Sequence, residues 1–160
     1  METQPRGLPN KKWWVFFIKT EWHRHWWYHL IPSYRPPFQH VYAACEVTGN
    51  IMMYLDPQMN GVAVSLMTGR PTDHIRFVLK TGGRVLYMER PDWHEEMMSR
   101  EAIYRRGWTI TCASFIAYHM ALDTRVQTPK GLYELLKRDY GAVELERDYG
   151  RRRRRSQQAA

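Results

Sequence analysis

The stretch RRGWTITCASFIAYHMALD sets Cys112 behind a Gly107-Trp108 corner and a Thr-Ile-Thr run, and ahead of a segment that reads as an apolar helix. A helix opening near Thr111 directs backbone N–H groups and the positive end of its dipole at the sulfur. That favours the thiolate and offers an oxyanion site for a carbonyl under attack. A thiol hydrolase also needs an imidazole within hydrogen-bond reach to carry the proton. His119 is excluded, because seven residues along a helix is roughly 10 Å. The base must come from another element, and His40 is the first choice, with Asp56 to orient its ring and Gln58 or Asn60 as alternatives in that third role. His74 and His94 stand in charged stretches that read as exposed, and either becomes the base only if the strand assignment around His40 fails. The competing reading of Cys112 is plain burial, since cysteine is among the most often buried residues. Cys45 is expected to be that case, on the apolar face of a strand.

The elements that would bring these groups together follow from pattern. FQHVYAACEV-TGN-IMMYLDP reads as strand, turn, strand, with β-branched and aromatic residues around a Gly-Asn turn. On the first strand Val41, Ala43, Cys45 and Val47 form an apolar face, while His40, Tyr42 and Glu46 carry polar groups; Ile51, Met53 and Leu55 oppose Tyr54 and Asp56 on the second. Matching apolar faces with a period of two requires paired residue numbers to share a parity. A Thr48-Gly49-Asn50 loop, with pairs summing to 98, satisfies this and puts His40 opposite Gln58, on the face that carries Asp56.

VAVSLM is expected to be a third strand. PTDHIRFVLKTGG reads as a helix capped by Thr72 and stopped at Gly82, in preference to a hairpin arm, and RVLYME as a further strand. Pro91 to Gly107 reads as a charged, Met-rich loop with a helical turn. TPKGLYELLKRDYGA has Thr128 as cap, Pro129 at the first helical position, Leu132, Leu135 and Leu136 on one face, and Gly141 as stop, and this helix should lie beside that of Cys112. The fold class is α+β: a small antiparallel sheet packed against a Cys-bearing helix and a C-terminal helix.

At 160 residues the chain is most simply one domain. It divides into an arm over 1–12, a domain over 13–150 and a basic tail over 151–160. Two cysteines are too few for a disulfide framework, which favours a reducing setting. WWVFFI, six apolar residues followed at once by charge, is too short for a signal-peptide core or a membrane span. The expected location is therefore cytosolic or within a larger assembly. Arg151 to Arg155 supply five of the net charge of +8, so the rest of the chain carries +3. Such a run gives non-specific affinity for nucleic acid or a contact with an acidic partner, and no nucleic-acid recognition motif accompanies it. The segment from Trp13 to Leu30 holds five of the seven tryptophans and reads as an aromatic strand and short helix closing one side of the core. Its alternative is a partner-binding patch. His25 and His29 have metal-ligand spacing on a helix, but no further ligand pair is evident, and neither metal nor cofactor is expected.

The set FQHVYAACE, MMYLDP, GWTITCASFIAYHMALDT and TPKGLYELLKRD resembles circularly permuted papain-like proteins, relatives of the NlpC/P60 group found in bacteria and as small phage-encoded proteins. The likeness runs roughly from Trp13 to Asp139. It rests on a histidine at the start of a strand, a later cysteine opening a helix and a TP-x-x-L helix after that. The resemblance implies Cys112 as nucleophile, His40 as base and Asp56 as the polar third member, the residue whose type varies most within the class. It further implies a cysteine peptidase, amidase or thiol acyl hydrolase. Some members have lost catalysis, so the alternative is a structural or interaction protein of a phage virion, using the fold as a scaffold and the arginine tail as a contact.

Overall fold

The computed structural model describes residues 11–19, 37–58, 61–90, 93, 111–122 and 125–146. The chain forms strands β1 (Lys11–Ile18), β2 (His40–Thr48), β3 (Ile51–Gln58) and β4 (Gly61–Thr68), helix α1 (Thr72–Lys80) and strand β5 (Arg84–Arg90). Helices α2 (Cys112–His119) and α3 (Pro129–Asp139) and the short strand β6 (Val143–Glu144) follow. This is an α+β fold with one six-stranded antiparallel sheet in the order β4-β3-β2-β1-β5-β6.

The continuous run WWVFF is explained by the place of β1, an interior strand buried on both faces. It does not close one side of the core, as expected from its composition, but lies at the centre. Trp13, Val15 and Phe17 join Val41, Ala43, Cys45, Leu55, Leu86 and Met88 against Ala113, Ile116 and Ala117 of α2 and Leu132 and Leu136 of α3. Trp14 and Phe16 face the other way, with Ala44, Met52, Tyr54 and Val85 against Ile75, Val78 and Leu79 of α1. Trp13 and Trp14 are thus core residues and no part of a partner-binding patch, while the other tryptophans of that segment lie outside the described residues. Lys11 and Lys12, assigned above to the arm, already pair with Arg90 and Glu89.

The β2–β3 register is the one parity requires: Ala43 pairs with Leu55, Ala44 with Tyr54, Cys45 with Met53 and Glu46 with Met52. The turn is tighter than expected. Thr48 pairs with Ile51 after a register shift between Glu46 and Thr48, so the extra residue is absorbed as a bulge, and Gly49 supplies the positive φ the turn needs. β4, at the sheet edge, has every residue exposed. In α1 the expected cap is displaced: Pro71 is the N-cap, and its carbonyl accepts from Ile75 N–H, so Thr72 is already within the first turn and does not cap it. Its end is as expected, with Gly82 at positive φ and Gly83 N–H donating to the Val78 carbonyl. In α3, Thr128 Oγ1 accepts from Gly131 N–H at 3.1 Å and Pro129 opens the helix. No helix among the described residues is long and apolar enough to cross a membrane.

Candidate active site

Cys112 is the first residue of α2 and is part-exposed, whereas Cys45 is buried. The start of α2 is fixed by a reciprocal cap. Thr111 Oγ1 accepts from Ser114 N–H at 3.1 Å, and Ser114 Oγ accepts from Thr111 N–H at 2.9 Å. The cap thus engages Ser114 N–H and does not use those of Cys112 and Ala113, which belong to the same first turn.

His40 is the first residue of β2, and its Nε2–H donates to Asp56 Oδ1 on β3 at 2.6 Å. Gln58 Nε2 donates to the other carboxylate oxygen at 3.2 Å. Burial acts to lower the imidazole's proton affinity. The Asp56 hydrogen bond opposes it, followed by a hydrogen bond to the Cys112 side chain and by the charges of both partners, and the ring is raised from 6.5 to about 9. Asp56 is held below the usual carboxylate range, chiefly by the His40 hydrogen bond and with help from Gln58, against the opposing effect of burial. With Nε2 committed to Asp56, Nδ1 is the ring nitrogen left for the sulfur. The strand parity gives His40 and Asp56 the face opposite to that of Val41 and Leu55, yet Cys112 opens the helix that covers Val41. His40 and Cys112 are each the first residue of their element and each only part-buried.

His40 and Asp56 are hydrogen-bonded, Cys112 bears on the ionisation of His40, and Gln58 supports Asp56 without replacing it. Asn60, His94, His23, His25, His29 and the arginine tail lie outside the described residues. His119 ends α2, where its ring packs on Phe115 with centroids 4.3 Å apart. His74 departs from expectation. It is half-buried on α1 among Phe16, Tyr42 and Tyr54, and its Nε2 shares a 2.7 Å hydrogen bond with the Tyr42 hydroxyl. The charged neighbours Asp73 and Arg76 pair with each other, 3.2 Å apart, and carry the exposed side of that helix. Among the described residues no group of three His, Cys, Asp or Glu side chains is placed to hold a metal ion.

Such a group can pass a proton between a sulfur and a reacting atom while a carboxylate holds the ring. Comparison with protein-family models, with curated proteins and with solved structures found no match for the chain.

Proposed function

We propose that the protein is a cysteine-dependent amide or ester hydrolase with a permuted papain-like arrangement. One observation supports this reading: the His40 imidazole donates to the Asp56 carboxylate on the neighbouring strand, and the Cys112 thiol that opens a helix acts on the ionisation of that ring. Cys112 Sγ passes its proton to His40 and attacks the carbonyl carbon, and backbone N–H groups of the first turn of α2 hold the oxyanion. The C–N or C–O bond then breaks as His40 gives its proton to the leaving group, leaving a thioester. Water, deprotonated by His40, attacks that thioester, releasing the acid and restoring the thiol. Asp56 holds the ring throughout and stabilises its positive charge whenever the imidazole is protonated.

Alkylation by iodoacetamide over a pH series tests this. Cys112 should be alkylated faster in the wild type than in His40→Ala. Cys45 should stay silent until the protein is denatured. Failure of Cys112 to react in the native protein, or an identical profile in His40→Ala, would overturn the proposal.

A second reading is favoured by β4. This edge strand, GVAVSLMT, has no charged residue, and Val64 and Leu66 are 58% and 68% exposed. A non-catalytic structural or interaction protein, as in a phage virion, would use such an edge to add a strand from a partner.

A further inference from the structure

Resting on the assignment of His40 as the base, we propose that Tyr42, anchored by His74, is a positioning residue that sets the plane of the His40 ring. Tyr42 follows His40 by two residues on β2 and so lies on the same face of the strand. The two rings stack with centroids 6.1 Å apart and planes within 25°. Across the sheet Tyr42 is backed by Phe16, its register partner on β1, at 4.8 Å and 11°. Sliding along that stack is stopped at the hydroxyl, which is tied to His74 Nε2. His74 is itself fixed edge-on to Phe16, Tyr42 and Tyr54, with centroids 4.9, 5.5 and 5.3 Å away.

The ionisation of these groups suits a fixed support. Burial first, and then the charge of Asp56, push the Tyr42 phenol up, so it keeps its proton, while burial pushes His74 down, so it stays neutral. Neither competes with His40 for charge. A ring held by Asp56 alone can pivot about its single Nε2–H bond; a flat neighbour restricts that pivot and keeps Nδ1 aimed at the sulfur.

The test reads His40 itself, by NMR titration of its ring in the full-length protein. Tyr42→Phe and His74→Leu each break the hydroxyl tether and should lower the His40 midpoint from about 9 by roughly one pH unit or more, as its bonds to Asp56 and Cys112 loosen. His74→Gln retains a group that hydrogen-bonds the hydroxyl and should stay near the wild-type value. Correct folding of each variant is checked by the silence of Cys45 to iodoacetamide. An unchanged midpoint in Tyr42→Phe and His74→Leu overturns the proposal. An equal drop in His74→Gln and His74→Leu also overturns it, because packing rather than the hydrogen bond would then orient the ring. The nucleophile assignment fails by a different result, alkylation of Cys112 that is indifferent to His40.

Discussion

His40 and Asp56 hold each other's charge, and the consequence for stability has a definite sign. The folded imidazole, raised to about 9, binds its proton more tightly than the unfolded one at 6.5. Its contribution is complete below pH 6.5 and is lost as the pH rises through about 9. Asp56 is depressed, so its contribution is present above 3.8 and is lost as the pH falls below that. The pair therefore predicts greatest stability between pH 3.8 and 6.5 and a decline from there to about 9. Urea midpoints across this range should show that decline in the wild type and a flatter profile in both His40→Gln and Asp56→Asn. At this scale the sequence was informative where chemistry and parity coincide: His40 and Asp56 differ by an even number across a register that apolar matching fixes. It was uninformative for His74 and Tyr42. Asp73 and Arg76 made the His74 stretch look exposed, although an amphipathic helix hides one side of such a stretch.

The helix starts were legible wherever a side chain makes the cap, as at Thr111 and Thr128, and illegible where Pro71 takes the position with no capping group of its own. The end of α2 was hidden for a related reason. Ala121 occupies the left-handed position, φ 57°, that glycine usually marks, and its buried methyl group accounts for the exception. The two threonine caps make a matched comparison. Thr111→Ala and Thr128→Ala should each cost about 1 kcal/mol in chemical denaturation. Only Thr111→Ala should also slow alkylation of Cys112, because only that cap orders the turn bearing the sulfur. Equal effects on the thiol would mean that the start of α2 is held by packing, with the cap incidental.

Across the whole molecule, the sheet is covered by α1 on one face and by α2 and α3 on the other, but β4 lies beyond this cover. That β4 is a strand was legible from VAVSLM, whereas its edge position and exposure were not: an apolar strand looks the same in sequence whether it is central or at an edge. Leu66→Lys places a charge on that edge without touching the core. If β4 receives a partner strand or a second copy, the substitution should reduce self-association in sedimentation velocity to a monomer at the same concentration; a wild type that is already monomeric at high concentration would remove self-pairing as a role for β4. The β2–β3 hairpin has a consequence in time as well as in space. Its tight turn closes a short loop, which costs little chain entropy, whereas Cys112 must arrive from beyond β4, α1 and β5. The His40–Asp56 pair can thus form from local chain closure, with Cys112 added when distant layers dock. A chain caught between these stages would hold the His40–Asp56 pair without Cys112, so under the proposed function it would be inactive until folding is complete.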